Sequence, residues 1–404
     1  MKRMFMLAAA LALAACQSDR VVAPSDDAAA ALDNDPLACQ DGNGGSGLPS
    51  PAAGGLRVMA YNLYLGTNLG PLLGASGETE FLVAAARAYA ELQQTDFPSR
   101  AGKIADQIAK VRPDVVALEE VALWSVSAPY DPTQPPLVPF AVKYDFLQLL
   151  LKALRARGLD YVAAAADTTS DVAAPAATAF DDAGNPTAFA LVRFQDRDAV
   201  LVRKGVRFSE ARHGVYQTYL PLSLMGTKTG NYNAWTSVKA TVDGRTFRFV
   251  ATHLNAEYAP VNGGQAQELI GLLQGERLPV VLAGDFNSGP GVSADFAPTY
   301  GLITGAGFTD LWPVAHPHDP GLTNGPSDGV GALNDAGVLI PYPSLQFTTR
   351  VDLVFVRDRL GVPHPVRAAT FGTLPGDRTA SGLWPSDHAA VGMVFELPTL
   401  LAHR

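Results

Sequence analysis

The stretch Pro-Asp-Val-Val-Ala-Leu-Glu-Glu-Val at residues 113–121 does most to define the fold. Its central apolar run is short and is bounded by polar residues, which predicts a buried β-strand. Pro113 cannot continue a helix, so the apolar stripe of Ile104, Ile108 and Val111 predicts a helix that ends before it. The stretch is therefore a helix-to-strand junction with two carboxylates at the far end of the strand.

Strands and helices alternate on both sides of this junction. Ser99 is positioned to cap the helix that ends before Pro113, and Asp243-Gly244 is a turn pair that predicts a hairpin. We predict further strands at 56–62, 199–203, 234–242, 245–253, 279–283, 350–356 and 390–397, and further helices at 141–157 and 265–274. Because some strands form hairpins and others are separated by helices, we expect an α/β fold with mixed sheets.

Three stretches rich in Pro and Gly are predicted to be long loops, at 125–140, 167–187 and 313–346. We interpret them as insertions into one domain at 56–397, followed by a short tail at 398–404. No internal repeat is found.

The composition is that of a globular protein large enough to bury a core without metal or disulfides. Of its 404 residues 48% are hydrophobic and 17% charged, and the formal net charge is −9. That charge argues against a broad electrostatic contact with phosphate backbones. The two cysteines, Cys16 and Cys39, exclude a disulfide framework and a four-thiolate zinc site.

The N-terminus has the features of an export signal. A basic start is followed by an apolar run at 4–14 that is too short to span a bilayer. Leu-Ala-Ala-Cys at 13–16 resembles a bacterial lipobox, with Cys16 as the acylated residue, although ordinary secretion is an alternative. Gln17 after the cysteine favours an outer-membrane lipoprotein by resemblance. We divide this part into a signal peptide at 1–16 and a flexible tether at 17–55.

Acidic, amide and imidazole residues lie at the ends of the predicted strands. Any one of them could simply cap a turn, but strand ends converge in space, so the set is more informative. The residues are Asn62, Glu120, His253, Asn255, Asp285, Asn287, Asp352, Asp387 and His388. Crowded carboxylates repel one another and are commonly balanced by a cation, and oxygen ligands favour Mg²⁺ or Mn²⁺ over zinc.

Six short motifs resemble, in their order along the chain, those of the endonuclease/exonuclease/phosphatase (DNase I-like) superfamily. They are Val-Met-Ala-Tyr-Asn-Leu at 58–63, Asp-Val-Val-Ala-Leu-Glu-Glu-Val at 114–121, Thr-His-Leu-Asn at 252–255, Gly-Asp-Phe-Asn at 284–287, Val-Asp-Leu-Val-Phe at 351–355 and Ser-Asp-His at 386–388. The resemblance implies a four-layer α/β sandwich, with two mixed β-sheets packed face to face, helices outside and the site at one edge.

The resemblance also implies roles for the residues that contact a metal ion or the substrate's phosphate. Glu120 is the expected main metal ligand, assisted by Asn62 and Asp387. Asn62, Asn255, Asn287 and His253 are expected to contact the phosphate, and His253 could instead contact the leaving group.

The catalytic residues implied are Asp285, His253, Asn287, His388, Asp352 and Asp387. Asp285 would orient or deprotonate the attacking water, and His388 is the second catalytic imidazole. Either Asp285 or His388 could be the base. Asp387 is expected to hold a ring nitrogen of His388, or of His253 through Asp352.

The sequence departs from the family pattern at two places. Glu119 stands where the family commonly has Gln before the metal-binding Glu. Alternation in a strand sends Glu119 and Glu120 to opposite faces but does not say which reaches the cation. A further acidic residue of some nuclease members has no clear counterpart near Asp198.

Two other motifs were weighed and set aside. Gly-Pro-Ser-Asp-Gly at 325–329 matches the serine hydrolase pattern, but no strand-to-helix turn is predicted there. His316 and His318 could chelate a transition metal, although histidines in a proline-rich loop are more often solvated.

Three functions remain open. The first is a metal-dependent, nuclease-like phosphodiesterase at the cell envelope, and the second is a sphingomyelinase-like or phosphoinositide-type lipid phosphoesterase. The third is a non-catalytic, lipid-anchored surface binding protein, against which the complete acid–imidazole set argues. We expect a monomer, tethered to a membrane by its lipid anchor, that acts on a nucleic acid or a phospholipid head group with Mg²⁺ or Mn²⁺.

Overall fold

Two mixed β-sheets packed face to face form the centre of the protein in a computed structural model. The structure describes residue 48 and residues 55–129, 139–181, 186–224, 227–326 and 329–398. The predicted signal peptide with Cys16, most of the tether and most of the tail lie outside these residues. Among the described helices, none is both long and apolar enough to cross a lipid bilayer.

The strands and helices have the following bounds. The strands are β1 (Leu56–Asn62), β2 (Val115–Glu119), β3 (Leu123–Ser127), β4 (Phe140–Asp145), β5 (Tyr161–Phe180), β6 (Pro186–Arg203), β7 (Arg207–Val215), β8 (Leu220–Leu224), β9 (Thr227–Asn231), β10 (Ala234–Val242), β11 (Arg245–His253), β12 (Val280–Asp285), β13 (Thr309–Asp310), β14 (Gly331–Leu333), β15 (Leu339–Pro341), β16 (Asp352–Arg357), β17 (Val366–Phe371) and β18 (Ala390–Phe395). The α-helices are α1 (Gly70–Leu73), α2 (Glu78–Gln94), α3 (Phe97–Val111), α4 (Phe146–Arg155), α5 (Ala259–Leu273), α6 (Ala297–Gly305) and α7 (Trp312–Ala315).

The sheet topology confirms the mixed α/β sandwich. The first sheet has the order β17-β18-β1-β2-β6-β3-β4, with β5 also paired to β6, and the second has the order β13-β16-β12-β11-β10-β7. The β1–β2 and β11–β12 pairs are parallel and the other pairs are antiparallel.

The core is divided into layers by the two sheets. Side chains such as Val58 and Val115 of the first sheet meet Phe249 and Val281 of the second in one buried cluster. The outer face of the first sheet is covered by α2, α3 and α4, and that of the second by α5 and α6. This gives four layers, helix–sheet–sheet–helix, as expected.

The predicted loop at 167–187 is wrong. The described part of this stretch belongs to β5 and β6, which pair as a long antiparallel hairpin from Tyr161–Arg203 to Phe180–Pro186. Its Ala-rich sequence has little strand preference of its own, so the pairing with β6 and the packing against α2 determine its conformation.

Other boundaries also differ from the prediction. Helix α4 begins at Phe146 because Asp145 caps it, its side chain accepting a bond from the Gln148 N–H, so the residues before it form β4. Helix α3 begins at Phe97, ahead of Ser99, with a proline in its first turn. The regions predicted as loops at 125–140 and 313–346 contain short elements, namely the end of β3, α7, β14 and β15.

Candidate active site

The carboxylate of Asp285 lies at the centre of the site. Its Oδ2 is 3.7 Å from His253 Nε2 and 3.8 Å from His388 Nε2. The same oxygen accepts a hydrogen bond of 3.1 Å from Asn62 Nδ2, and Oδ1 accepts one of 2.9 Å from the Asn287 N–H. Residues from widely separated parts of the chain therefore converge on one buried acid, as the sequence analysis predicted.

The register of the second sheet brings these groups together. His253 ends β11 directly beside Asp285 at the end of β12, and Asp285 is also paired with Asp352 at the start of β16. Gly284 is required for this approach, because a Cβ there would lie 2.0 Å from the Thr252 carbonyl oxygen and the backbone φ is +137°. Any larger residue would push the two strand ends apart.

His388 is held by Asp352 and not by Asp387. Its Nδ1 lies 2.9 Å from Asp352 Oδ2, whereas the backbone N–H of Gly329 donates to Asp387 Oδ2 at 3.0 Å. The expectation for Asp387 is thus corrected: the residue next to the histidine cannot reach its ring, while β16 presents Asp352 to it. Asp387 instead lines the groove beside Glu120.

Asn324 is a further contact of His388 that the sequence analysis missed. Its side-chain amide lies 2.8 Å from His388 Nε2. A half-turn exchanges the oxygen and nitrogen of the amide, so Asn324 can accept from the charged ring or donate to the neutral one. Asn324 lies in a loop outside every motif, so no sequence signal pointed to it.

Asp198 is the acidic neighbour of His253. Its Oδ1 lies 3.8 Å from His253 Nδ1, and its side chain is completely buried. The sequence analysis found no clear counterpart near this position because it began the strand at 199, whereas Asp198 lies inside β6. The Asp-Arg-Asp sequence at 196–198 was the available signal, since alternate strand residues share a face.

Glu120 and Glu119 face different surroundings. Glu120 has a left-handed backbone (φ +56°), and its carboxylate accepts bonds from Asn62 Nδ2 at 3.0 Å and the Leu65 N–H at 2.7 Å while bordering the groove. Glu119 is completely buried, and neither of its carboxylate oxygens has a hydrogen-bond partner. Of these two glutamates, only Glu120 borders the groove, where it could contact an ion.

The amides behind Asp285 are anchored to the backbone. Asn287 has a left-handed backbone (φ +47°) and donates from Nδ2 to the Leu254 carbonyl at 2.8 Å. Asn255 is fully buried, and its side chain bonds to Glu257 and to the N–H of Tyr258. The structure thus gives Asn255 a role within the turn, in place of the phosphate contact that was expected.

A buried arginine fixes the loops around the site. Arg100 is completely buried and donates from NH1 to the carbonyls of Leu63 and Pro385, each at 2.8 Å, and from NH2 to that of Tyr64. These carbonyls belong to the loop after β1 and to the segment just before His388. The arginine thereby links the two chain segments that carry Asn62 and His388.

Burial and crowding shift the pKa values of the site strongly. Burial raises the pKa of Glu119 well above its ordinary value, and the charge of Asp198 raises it further. Burial alone lowers the pKa of His253, but the surrounding carboxylates, led by Asp285, outweigh it and raise the pKa to about 9. Burial also opposes the charged form of His388, yet Asp352 and Asp285 raise its pKa well above its ordinary value. The surrounding carboxylates therefore favour the charged form of both rings.

The donor set of the site fits a hard divalent cation. Burial, followed by the charge of Asp387, raises the pKa of Glu120, as expected where carboxylates lack a balancing charge. Asp285, Asp352 and His388 offer ligand atoms within 4.8 Å of one another, and Asp352 Oδ1 is buried without a hydrogen-bond partner. Carboxylate and amide oxygens are the ligands that Mg²⁺ and Mn²⁺ prefer.

The two motifs set aside earlier contribute no group to this cluster among the described residues. In Gly-Pro-Ser-Asp-Gly, Ser327 and Asp328 lie outside the described residues, and Gly329 only donates its N–H to Asp387. His316 Nε2 lies 2.7 Å from the Ala368 carbonyl oxygen, so that ring nitrogen is engaged in a hydrogen bond with the backbone.

Comparison with known proteins agrees with this geometry. Residues 59–388 match the Endonuclease/Exonuclease/phosphatase family, to which the chain therefore belongs. Its members hydrolyse phosphoester bonds. No match was found among curated proteins.

Solved structures of similar fold share little sequence with the chain. A humanized D. rerio TDP2 with 14 mutations has 16% identity and a TM-score of 0.46, covering 85% of this chain and 99% of its own. A family protein of Bacteroides thetaiotaomicron has 15% identity and a TM-score of 0.46, covering 87% of this chain and 98% of its own. A family protein of Leptotrichia buccalis has 16% identity and a TM-score of 0.45, covering 85% of this chain and 100% of its own.

Proposed function

We propose that the protein is a divalent-metal-dependent phosphodiesterase that breaks a P–O bond by attack of water. The observation that carries the proposal is the Asp285 carboxylate, which lies between two imidazoles whose pKa values are raised. A phosphodiester is anionic and gains negative charge on its oxygens in the transition state. A site with two cationic donors around one carboxylate stabilises that charge and accepts a proton from water.

Asp285 is the proposed base. The surrounding carboxylates raise the pKa values of His253 and His388 and favour their charged forms, so the carboxylate that lies between the two rings is the proposed acceptor. As the water oxygen bonds to phosphorus, its proton passes to Asp285 Oδ2. The leaving oxygen departs with the electrons of the P–O bond and takes a proton from an imidazolium, for which His253 is the candidate.

Glu120, Asn62 and Asp387 are the residues proposed to hold the cation. Glu120 and Asp387 both border the groove, and Asn62 donates to Glu120, which orients its carboxylate. When bound, Mg²⁺ or Mn²⁺ would neutralise charge on the phosphate oxygens. Asn287 is proposed to contact the phosphate.

The proposal is tested with bis(p-nitrophenyl) phosphate in the presence of Mg²⁺, Mn²⁺ or EDTA. We expect hydrolysis with either metal, its loss in EDTA and its recovery on adding metal back. Asp285→Asn should be inactive, while Asp295→Asn, which changes an exposed acid outside the site, should keep full activity. Activity that persists in EDTA, or a normal rate in Asp285→Asn, would refute the assignment.

We also propose that the protein is exported and anchored at the cell envelope through Cys16, as a monomer. The support is the lipobox-like sequence at 13–16. Labelling with radioactive palmitate in a bacterial host tests it: wild type should be labelled and found in the membrane fraction, and Cys16→Ala should be neither. Equal labelling of both chains would overturn the anchor.

A further inference from the structure

One end of the active site opens into a groove of about 490 Å³. That volume lies within the range of small-molecule and ligand pockets. Glu120, His253 and Asp387 border the groove at its catalytic end, and the β5–β6 hairpin and helix α2 form much of the remaining wall. A group attached to a phosphate in the site would therefore extend into this groove.

One face of the β5–β6 hairpin lines the groove with apolar side chains. Val172, Ala174 and Ala176 alternate along β5, and Val192 and Phe194 alternate along the paired strand β6. The same alternation places Asp196 on this face at the catalytic end. The face is therefore charged next to the catalytic residues and apolar further from them, over about 20 Å of strand. The small alanines leave room that larger residues would fill.

Two polar groups of the groove wall, on Trp124 and Tyr64, are bonded to other parts of the protein. The Trp124 indole N–H donates to the Leu65 carbonyl at 2.9 Å, and the Tyr64 hydroxyl donates to Glu91 at 3.1 Å. The Trp124 ring packs on Phe194, with their centroids 4.6 Å apart. The aromatic surfaces that remain are apolar and offer a ligand dispersion and hydrophobic contact, with few hydrogen bonds.

The charges of the groove do not suit a nucleic acid. Among the described residues that line it none is lysine or arginine, whereas Glu120, Asp196, Glu257 and Asp387 are acidic. Phosphate backbones depend on lysine and arginine for most of their affinity. The groove therefore favours a substrate with a single phosphodiester, no net negative charge beyond it, and a large apolar substituent.

We propose that this groove binds the acyl chains of a phospholipid and that the substrate is a zwitterionic lipid phosphodiester. The inference rests on the proposed phosphodiesterase function and adds the substrate class. The observation that supports the proposal is that the catalytic residues adjoin the apolar face of the hairpin. One molecule can then place its phosphate at Asp285 and its chains along β5 and β6.

A series of alkyl p-nitrophenyl phosphodiesters, from methyl to octyl, tests the proposal with metal-loaded wild-type enzyme. Burial of each methylene should raise kcat/KM by up to about fourfold until the groove is filled. No hydrolysis of the methyl ester would refute the phosphodiesterase itself. Hydrolysis that does not change with chain length would refute only the groove.

Two neighbouring alanines provide matched variants. Ala174 faces the groove, while Ala173 is exposed on the opposite face of β5. Ala174→Phe should remove the gain in kcat/KM with chain length, and Ala173→Phe should show the same gain as wild type. Equal chain-length dependence in both variants would overturn the assignment.

The natural substrate class is tested directly by comparing the hydrolysis of phosphatidylcholine vesicles with that of plasmid DNA. We expect hydrolysis of one P–O bond of the head-group phosphodiester, which releases phosphocholine or choline from the vesicles, with cleavage of DNA at least tenfold slower under the same metal concentration. Rapid cleavage of DNA with no attack on the vesicles would overturn the lipid proposal and favour a nuclease.

Discussion

The strand ends at β11, β12 and β16 adjoin the groove through His253, the β5–β6 hairpin lines the groove directly, and the two regions differ in charge and in polarity. The strand ends bring buried acids and imidazoles within 4 Å of one another, at positions set by sheet register. The hairpin face presents mainly apolar residues, with Ser170 and Asp196 at the end nearest the site. In the proposed function the strand ends carry the chemistry, and in the further proposal the hairpin selects the group that is attached to the phosphate.

The two regions should also respond differently to substitution. At the strand ends each group is buried and charged, so removing one leaves its partners unbalanced. On the hairpin face, contacts are numerous and individually weak, so a single change alters only part of the binding. Substitutions at the strand ends should lower kcat, and substitutions on the hairpin should raise KM.

The largest effect is expected at the centre of the strand ends. Asp285→Ala or His388→Ala should lower the phosphodiesterase rate at least a hundredfold, because each removes a proton-transfer or charge-stabilising group. Single-turnover kinetics with bis(p-nitrophenyl) phosphate and circular dichroism measure rate and fold together. A folded variant with a wild-type rate would break the assignment of chemistry to this region.

A smaller loss is expected from the residue that positions His388. Asp352→Asn should lower kcat about tenfold to a hundredfold, as is typical when the partner of a functional imidazole is changed, with KM nearly unchanged. It should also lower the pKa of His388 and therefore shift the pH profile, which a merely structural change would not do. An unchanged pH profile with a raised KM would show that Asp352 does not position His388 for catalysis.

Substitutions in the two regions should also differ in their effect on the pH dependence of kcat/KM. The pKa of His253 is about 9, above its ordinary 6.5, so the ring is charged below pH 9 and loses its charge as the pH rises through that value. We expect kcat/KM to fall by about tenfold per pH unit above pH 9. In His253→Gln the fall that begins at pH 9 should be lost, whereas Val172→Thr should leave it in place. An identical alkaline limb in His253→Gln would exclude His253 as the proton donor.

The smallest effect is expected on the hairpin. Val172→Thr keeps the side-chain shape but adds a hydroxyl group to the apolar wall, so KM for the octyl ester should rise severalfold with kcat unchanged. Steady-state kinetics on the methyl and octyl esters measure this difference. A fall in kcat on the methyl ester would show that the hairpin takes part in the chemistry and would remove the contrast between the regions.

Much of the strand-end region could be predicted from the sequence. Apolar runs such as 115–118 and 280–283 stop at polar residues, and the ends of neighbouring strands must meet at one edge, so Asp285, His253 and His388 could be named in advance. Asp198 and Asn324 were not named, although the Asp-Arg-Asp sequence at 196–198 was a signal for Asp198. The first lies within a longer strand than the pattern indicated, and the second lies in an irregular loop where no period constrains the side chain.

The hairpin could not be predicted in the same way. The alanines and the two prolines of 167–187 carry weak strand preference, and the strand forms because β6 supplies partners for its backbone and α2 covers one face. The sequence of this segment alone does not specify either partner. The groove, and with it the proposed substrate class, is therefore a property of packing between distant segments.

The sequence by itself determined the alternation of strands and helices, the order of the motifs and the chemical types that gather at the strand ends, because periodicity and side-chain chemistry are local. Only the tertiary structure decided that Asp352 holds His388, that Glu120 and not Glu119 faces the groove, and that an apolar hairpin face adjoins the site. These depend on register, backbone turns and contacts across the fold, which no single segment of the chain specifies.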